Sequence, residues 1–536
     1  MLPETAQVLV VGAGPVGLSA AAFLGWHGIE TVVVERHEGR ATHPRARGLT
    51  PRTMELLRGI GLEDRVRGTE SARELAGNDG IIVMDTLAGR PLGGLDRSYF
   101  QFDAAAYDGL APTSWCMCHQ HELEPILLGR ARELGADVRY TTECTDLEPL
   151  DDGVAATLRP VGGGAARTLR ARYVVAADGA GSRVRERLGI GMSGPGRLGF
   201  FLNIEFRADL AAVLGDRRFI MCYIAGAGVR CALLPVNNAD HWMLHVMCDP
   251  EETAEFTPER CAELVRAAAG VPDLEVDVRS ALPWESAGRV ADRFRAGNVF
   301  LAGDSAHVMP PTGAFGSNTG VQDAHNLAWK LAAVLQGRAA APLLDTYEDE
   351  RRPVAEATVR QAVLRSKDRP GAGGAAPDPD LVPDPVVVLG QRYRSRRGRR
   401  RGRRRRRRGP SGNRRRAAVR APGRRTWTRA ALHDRPGAAA LRAVHRTGGG
   451  RRVAGGVRRG RRGPRRPDRR VRVHRPPRRL GRAPPGPGRP LDGRVRRVPG
   501  RRGARPSGRL RRLALPRAAR RPGEAPCATP SPHRWA

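Results

Sequence analysis

Residues 8–35 read VLVVGAGPVGLSAAAFLGWHGIETVVVE, and this stretch predicts a strand, a helix and a second strand in succession. Residues 8–11 form an apolar run typical of a buried parallel strand, and a helical pattern covers residues 18–24. A second apolar run at 31–34 ends at Glu35. Two strands joined by a helix in this way predict an α/β fold with a parallel sheet.

The turn after the first strand carries the three glycines of a GxGxxG motif: Gly12, Gly14 and Gly17. Gly12 permits the tight turn, Gly14 lets the backbone approach a pyrophosphate, and Gly17 lets helix and strand pack closely. The helix N-terminus offers amide donors and a favourable dipole to phosphates, and Glu35 can accept from ribose hydroxyls. A GxGxxG alone is sometimes only a glycine-rich turn. Here the motif is accompanied by both strands, the helix and the acid Glu35, and together they indicate dinucleotide binding. They do not distinguish FAD from NAD as the ligand.

A second motif follows another apolar strand, where residues 174–177 lead into Asp178 and Gly179. Ligands gather at such strand ends in open α/β sheets, which makes Asp178 a candidate binding residue. Equally, Asp178 or Ser182 caps the helix that begins next. The residues of this segment alone leave both interpretations open.

A third motif, Gly303-Asp304, ends the apolar strand at 299–302, and a Pro- and Gly-rich loop leads from it to a helix predicted at 321–336. We expect the backbone amides of Ser317 and Asn318 at the start of that helix. Such a place stabilises negative charge, which a reduced flavin bears on its pyrimidine side. His307 suggests a base, but a single histidine beside a strand end is more often structural.

Charge is distributed very unevenly along the 536 residues. The chain has 92 Lys and Arg against 55 Asp and Glu, for a formal net charge of +37. Residues 395–536 contain 50 of the basic residues, all Arg, and four acids, so this tail carries +46 and residues 1–394 carry −9. A basic surface on the body is therefore excluded, and the overall charge does not predict a polyanion partner.

Several other classes lack their sequence signals. No stretch approaches the roughly 20 uninterrupted apolar residues of a membrane helix. Glu4 stands where a signal peptide carries positive charge. The eight cysteines form no CxxC pair or metal-type spacing. We therefore expect no membrane span, no disulfide framework, no metal site and a cytoplasmic location.

The three motifs, in this order and spacing, resemble the FAD-dependent aromatic hydroxylases. These are single-component flavoprotein monooxygenases of the para-hydroxybenzoate hydroxylase fold, and the likeness is closer to the aromatic polyketide hydroxylases and the phenol or pentachlorophenol monooxygenases. Five segments add to the likeness: 44–48 (PRARG), 52–55 (RTME), 120–124 (QHELE), 303–330 and 344–353. The resemblance covers about residues 5–394.

The resemblance implies an α/β fold in which a Rossmann-like FAD-binding domain carries an inserted, mainly β substrate domain. The composition of the remaining residues predicts that a disordered Arg-rich tail follows. The implied boundaries are 1–75, 100–190 and 288–370 for the FAD-binding domain, 76–99 and 191–287 for the substrate domain, 371–394 for the start of a degenerate C-terminal domain, and 395–536 for the tail.

The resemblance also assigns residues to the adenosine and diphosphate half of FAD. Glu35 would hold the adenosine ribose, and Arg36 would lie beside the adenine. Arg45 would reach the pyrophosphate or the flavin edge, and Gln120 would contact the FAD chain. Asp178 would serve the binding of both FAD and NAD(P)H.

The flavin half would be bound by Gly303, Asp304, Pro311, Gly316, Ser317 and Asn318. Asp304 would hold the ribityl hydroxyls and Pro311 would line the flavin ring. The backbone amides of Ser317 and Asn318 would donate to the pyrimidine side. Many relatives have a larger apolar residue in place of Ser317, but only its backbone is needed.

The implied reaction is hydroxylation of an aromatic, phenolic or polyketide-type molecule by NAD(P)H and O2 through a flavin C4a-hydroperoxide. No protein nucleophile or metal is expected, since the chemistry is the cofactor's. Strands predicted between residues 199 and 247 would cover the reactive face of the flavin. An aromatic pocket there could include Trp242, Phe201, Tyr223 and Met221, although core packing explains their alternation equally well.

The tail beyond residue 395 contains no Ile, Phe, Tyr, Met or Lys, and such a composition cannot build a packed core. Relatives continue here into a thioredoxin-like domain. Three interpretations are open: an Arg-rich arm that binds a polyanion, a solvated tail without a role, and a frameshift in a GC-rich gene. The third is favoured because residues 510–515 (LRRLAL) can be encoded so that the next frame reads Cys-Val-Ala-Trp-Arg, which resembles the end of that domain.

Two alternatives to the hydroxylase are open: another FAD-dependent enzyme, a reductase or a halogenase, and, from a different class, a binding protein acting through the basic tail. An FAD-dependent disulfide reductase needs a CxxxxC pair, and a halogenase of the related fold carries WxWxIP, and both are absent. A binding protein acting through the tail is disfavoured by the three cofactor motifs and the negative body. A homodimer is possible but doubtful without an intact C-terminal domain, and no specific nucleic acid or membrane partner is expected.

Overall fold

The structure is a computed structural model. It describes residues 3–39, 46–78, 80–95, 107–226, 231–367 and 378–393, all of them in one compact unit, Met1–Arg416. Arg45 and the tail from residue 395 lie outside the described residues. The predicted role of Arg45 and the predicted disorder of the tail are therefore predictions still.

The elements of the described residues are as follows. The strands are β1 (Thr5–Val11), β2 (Thr31–Val34), β3 (Gly48–Leu49), β4 (Ile81–Met84), β5 (Pro91–Leu95), β6 (Cys116–Met117), β7 (Asp137–Arg139), β8 (Thr142–Leu150), β9 (Gly153–Pro160), β10 (Arg167–Ala176), β11 (Met192–Arg207), β12 (Met221–Ile224), β13 (Cys231–Pro235), β14 (His241–Met247), β15 (Asp277–Ala291), β16 (Arg295–Ala296), β17 (Val299–Leu301) and β18 (His307–Val308). The helices are α1 (Pro15–Trp26), α2 (Pro51–Gly59), α3 (Glu63–Arg67), α4 (Glu70–Glu74), α5 (Gln120–Glu133), α6 (Arg183–Arg187), α7 (Ala211–Leu214), α8 (Pro258–Ala269), α9 (Phe315–Leu335), α10 (Asp345–Lys367) and α11 (Asp384–Leu389).

The first sheet has the parallel core that the N-terminal motif predicts. Its strands lie in the order β16-β17-β10-β1-β2-β7, and β17, β10, β1, β2 and β7 run parallel. Val10 in β1 is fully buried between Val33 of β2 and Val175 of β10, as expected for a strand covered on both faces. The βαβ unit β1-α1-β2 and the predicted α/β fold class are confirmed.

The second sheet is mainly antiparallel, with the order β18-β15-β11-β14-β13-β12-β4-β5. The long strands β11 and β15 pair along most of their length, and one face of the sheet packs against α8. Trp242 and Phe206 lie in the core between them. A sheet-rich domain beside the first sheet confirms the second half of the predicted fold class.

The start of α9 differs from the prediction. The helix begins at Phe315, six residues before the predicted start at 321. The glycines in this segment predicted a loop, but Gly320 lies inside the helix, where its close neighbours leave no room for a side chain and therefore require glycine. A Cβ there would lie 2.9 Å from the Cα of Gly303 and 2.5 Å from Val16 Cγ2.

The predicted domain boundaries stay a proposal. β15 (Asp277–Ala291) continues through the boundary drawn at 288, and β18 pairs with β15 in the second sheet although its residues fall in the range assigned to the FAD-binding domain. None of the helices in the described ranges is both long and apolar enough to cross a membrane.

Candidate active site

The glycine loop between β1 and α1 and the first turn of α1 contain three glycines of two kinds. Packing requires glycine at positions 12 and 17, whereas the space beside Gly14 is empty of protein atoms. Gly12 has φ +104°, and a Cβ there would lie 2.3 Å from the carbonyl oxygen of Ala177. A Cβ on Gly17 would lie 1.9 Å from the Gly12 oxygen. A Cβ on Gly14 would meet no atom within 4 Å, so the space beside the N-terminus of α1 is open. That space suits a phosphate at a helix N-terminus.

Glu35 holds this loop from the end of β2. Its Oε2 accepts from the backbone N–H of Ala13 at 2.9 Å, and its Oε1 accepts from the backbone N–H of His37 at 3.0 Å and lies 2.6 Å from His37 Nδ1. Arg36 is exposed at the same edge. The contacts of Glu35 are therefore with the loop itself, and its role toward a ribose stays a prediction.

Ser182 is the N-cap of α6, and Asp178 supports the same helix start and also joins two loops. Its Oδ1 accepts from Ser182 Oγ at 2.6 Å, and its Oδ2 accepts from the backbone N–H of Val184 at 3.1 Å at the start of α6. Ser305 Oγ donates to Oδ1 at 3.0 Å. The capping interpretation is confirmed, and the link to Ser305 brings the second motif against the third.

The third motif follows β17. Gly303 has φ +62° and packs on Val16, and Asp304 is exposed beside it. His307 is fully buried, and its Nε2 lies 2.7 Å from Asp323 Oδ2. The structural interpretation of His307 therefore fits its surroundings, where it faces a buried carboxylate.

The loop before α9 is shaped by its backbone and by one amide side chain. Ala314 adopts a left-handed conformation, φ 54° and ψ 33°, and starts the helix. Asn318 Oδ1 accepts from the backbone N–H of Thr50 at 2.9 Å, while Nδ2 donates to the carbonyls of Gly48 at 2.7 Å and Ala314 at 2.6 Å. The side chain of Asn318 thus fastens β3 to the start of α9.

The remaining predicted residues of this loop lie close to that helix start. Pro311 is exposed in the loop. Gly316 and Ser317 are the second and third residues of α9, and both are half-buried. Their amides belong to the first turn, where helix N–H groups lack an intrahelical acceptor.

Gln120 is the first residue of α5. Its backbone N–H donates to the carbonyl of Ala46 at 2.8 Å, and its Nε2 donates to Glu124 Oε1 at 2.8 Å. It therefore lies directly beside the described end of the segment that contains Arg45.

Arg47, which the sequence motifs do not single out, links the segment just before β3 to the second sheet. Its guanidinium donates to the carbonyls of Ile220 at 2.5 Å and Pro235 at 3.3 Å, at the ends of β12 and β13. Burial lowers its pKa to about 10. Both acceptors lie more than 170 residues away in the sequence, so no local sequence pattern predicts this role of Arg47.

The face of the second sheet away from α8 carries an aromatic cluster. The rings of Phe201 and Trp284 stack with centroids 5.0 Å apart and planes 18° apart, and His245 meets Trp284 edge-on at 6.4 Å. Trp284 Nε1 donates to Asn203 Oδ1 at 2.6 Å. Strand register places Tyr223 on the same face. All of these side chains are only partly buried.

Trp242 does not belong to this cluster. It is 1% exposed, packs with Phe206 on the opposite face, and donates from Nε1 to the carbonyl of Ala208 at 3.1 Å. Its inclusion in the candidate pocket was wrong, because it lies one residue out of phase with Met243 and His245. Trp284 was not predicted, because β15 lies outside residues 199–247, where the pocket strands were expected. Asn203 lies inside that range, in β11, but carries no aromatic ring.

The profile of the FAD binding domain family matches residues 5–362. The chain belongs to this family. A putative polyketide hydroxylase of Streptomyces halstedii is 49% identical over 398 residues, which cover 72% of this chain and 70% of that protein. A putative polyketide hydroxylase of Streptomyces coelicolor is 50% identical over 384 residues, covering 69% of this chain but only 59% of that protein.

A solved structure of this family gives the same fold. The ternary complex of aklavinone-11 hydroxylase with FAD and aklavinone is 40% identical, with a TM-score of 0.67, covering 74% of this chain and 75% of that one. The resemblance to FAD-dependent aromatic hydroxylases is thus confirmed, and this member of the FAD binding domain family is an FAD-dependent aromatic monooxygenase. The open space at Gly14 and the first-turn amides of α1 and α9 fit the cofactor.

Proposed function

We propose that the chain hydroxylates a phenolic or polyketide-type aromatic compound with O2, using NADPH or NADH to reduce its FAD. The observation that carries the proposal is the meeting of three motifs at one edge of the first sheet. They follow the carboxyl ends of the adjacent parallel strands β1, β10 and β17. Ligands of open α/β sheets bind at this edge.

We propose that the FAD site is built from residues placed around this edge: Gly12, Gly14, Gly17, Glu35, Arg36, Arg45, Gln120, Asp178, Gly303, Asp304, Pro311, Gly316, Ser317 and Asn318. Gly14 and the start of α1 support binding of the diphosphate, since they combine free space with helix amides. The start of α9 supports the flavin's pyrimidine side, since its dipole favours the negative charge there. Asn318 contributes by its backbone and by fastening β3 to that helix start.

Bound FAD supplies the activation of O2 and the transfer of one oxygen atom, and the chain supplies position and shelter. The cluster of Phe201 and Trp284 offers a flat apolar wall for an aromatic ring. Asn203 and His245 add polar groups at its edge, where a hydroxyl can be oriented. A phenolic substrate activates its own ring by losing a proton, so no protein nucleophile is required.

The substrate class is supported by the relatives. Two of them carry the name polyketide hydroxylase, and the solved structure holds aklavinone. An aromatic wall of two stacked rings fits a planar fused-ring compound better than a small aliphatic one. We therefore propose a fused-ring phenol as substrate.

The disulfide reductase alternative has no support in the described thiols. Burial raises the pKa of Cys116 to about 11 and that of Cys118 further still. Both shifts disfavour the thiolate, which is the reactive form.

We propose a cytoplasmic location and a body that ends near residue 394, with the tail produced by a frameshift. Sequencing the gene around codons 390–400 tests the frameshift, since an uninterrupted reading frame would contradict it.

The activity is tested by purifying the full chain and recording its visible spectrum. We expect a flavin absorption band, and NADPH or NADH oxidation that accelerates when fused-ring phenols are added under O2. A colourless protein that cannot be reconstituted with FAD would overturn the proposal.

A further inference from the structure

A fully buried carboxylate lies behind the Gly303–Asp304 turn. Asp323 in α9 accepts at Oδ2 from the backbone N–H of Gly303 at 3.2 Å, and the same oxygen lies 2.7 Å from His307 Nε2. Its Oδ1 accepts from Arg351 Nε at 2.6 Å. The side chains of Asp323, His307 and Arg351 are all 0% exposed. One carboxylate therefore joins the turn, a histidine and an arginine of α10.

The charge of this carboxylate is sustained by Arg351. Burial alone would raise the pKa of Asp323, but the nearby Arg351 and His307 hold it below its usual range. Burial likewise works against the charge of Arg351, and Asp323 outweighs it and raises the pKa of the guanidinium. Buried charges of this kind persist only when their remaining hydrogen bonds are satisfied.

Two of the three remaining hydrogen bonds of Arg351 are made with the last described segment, residues 378–393. Arg351 Nη1 donates to Gln391 Oε1 and to Tyr393 Oη, each at 3.1 Å, and Nη2 donates to the carbonyl of Thr319 at 3.2 Å. Gln391 Nε2 donates in turn to Gln322 Oε1 at 3.0 Å. Gln391 and Tyr393 thus fix the guanidinium that fixes Asp323.

The Gly303–Asp304 turn, whose amide Asp323 binds, is tightly packed and leaves no space for movement. Gly303 packs on Val16 of α1 and on Gly320 of α9, where added Cβ atoms would approach within 2.5–2.9 Å. A shift of Asp323 would therefore push the Gly303 amide against α1, the helix that follows the glycine loop. The position of Asp323 sets the spacing of two cofactor motifs.

We propose that Asp323 is a positioning residue for FAD, and that Gln391 and Tyr393 complete the FAD site from a distance through Arg351. The inference rests on the proposed function, because it takes the Gly303–Asp304 turn as part of the cofactor site. It extends the working enzyme to Tyr393, two residues before the Arg-rich tail begins at residue 395.

The test uses the full chain with three sets of substitutions. Tyr393→Phe combined with Gln391→Ala removes both acceptors of Nη1 at the periphery. Arg351→Lys keeps the charge but loses the planar fork that reaches several acceptors. Arg352→Gln is the matched control, because Arg352 is the next residue of α10 and forms its ion pair with Glu356 instead.

Each apoprotein is titrated with FAD by quenching of flavin fluorescence, and its thermal unfolding is followed without FAD. We expect the Tyr393/Gln391 variant to raise the FAD Kd about tenfold with little change in unfolding temperature. Arg351→Lys should raise the Kd further and shift the spectrum of the bound flavin, while Arg352→Gln leaves the Kd unchanged.

Two results would overturn the inference in different ways. An unchanged Kd in the Tyr393/Gln391 variant, with or without a lower unfolding temperature, would show that the network only supports the fold. A wild-type chain that binds no FAD would instead contradict the proposed function itself, and the inference with it.

Discussion

At the residue scale, Gly12 and Gly14 are two glycines of one motif with different reasons to be glycine. Gly14 has ordinary extended angles, φ −74° and ψ −174°, and open space beside its Cα. We expect Gly14→Ala to change the unfolding free energy of the apoprotein by less than about 0.5 kcal/mol. It should nevertheless raise the FAD Kd at least about tenfold, because the methyl group would occupy the approach of the diphosphate.

Gly12→Ala is the contrasting variant. Its φ of +104° and the contact with Ala177 predict a loss of about 2–4 kcal/mol of stability, measured by urea unfolding. If Gly14→Ala binds FAD as tightly as the wild type, the diphosphate does not lie at this loop.

The two tryptophans of the second sheet should respond in opposite ways. Trp284→Leu removes the ring that stacks on Phe201, so we expect the KM for a fused-ring phenol to rise about fivefold to tenfold while FAD binding is unchanged. Trp242→Leu should instead lower stability by about 2–4 kcal/mol and leave the KM unchanged, because Trp242 is a core residue. Steady-state kinetics and urea unfolding of both variants provide the measurement. Equal effects on KM would contradict the assignment of the aromatic wall.

Single residues also show what the sequence reveals and what it hides. The glycines and Asp178 were predictable, because their backbone angles or capping bonds depend on near neighbours. The side-chain partners of Asn318 are 268 and 270 residues away in sequence, apart from Ala314. No local pattern predicts such contacts.

At the element scale, α9 depends on Asn318 for its attachment to β3. Asn318→Ala removes three buried hydrogen bonds and leaves the amide of Thr50 without this acceptor. We expect a loss of about 2–4 kcal/mol of unfolding free energy together with weaker FAD binding. Ser317→Ala is the control, since the proposal uses only its backbone. A variant Asn318→Ala with wild-type FAD affinity would show that the helix start does not depend on this fastening.

The elements themselves were predictable to different degrees. The βαβ unit followed from period and punctuation, since a buried strand and an adjoining glycine turn have local signatures. The first six residues of α9 were not predictable, because Gly316 and Gly320 indicate a loop. Gly320 occurs inside the helix because it packs closely against Gly303 and Val16.

At the scale of the whole molecule, the net charge of +37 says little about function, because the body carries −9 and residues 395–536 carry +46. The functional boundary should fall after Tyr393. We expect a chain ending at residue 394 to bind FAD as the full chain does. A chain ending at residue 390, which lacks Gln391 and Tyr393, should bind it about tenfold more weakly or worse. Fluorescence titration of both truncations measures this, and equal affinities would place the boundary earlier.

The two-sheet architecture was predictable as a class, because motif order and strand composition reflect the fold. Its long-range contacts were not, since Arg47, just before β3, donates to the carbonyls of Ile220 and Pro235 beside the second sheet, far along the chain. The long β15 also crosses the domain boundary predicted at residue 288, because its pairing with β11 continues as far as Ala291.

We propose above all that this chain uses FAD to place one oxygen atom of O2 on an aromatic ring. The most direct measurement is the turnover of a fused-ring phenol by the FAD-loaded full chain with NADPH under isotope-labelled O2, followed by mass spectrometry of the product. We predict one labelled oxygen atom in each hydroxylated product. Product oxygen derived from water, or a turnover that forms no hydroxylated ring, would contradict the account.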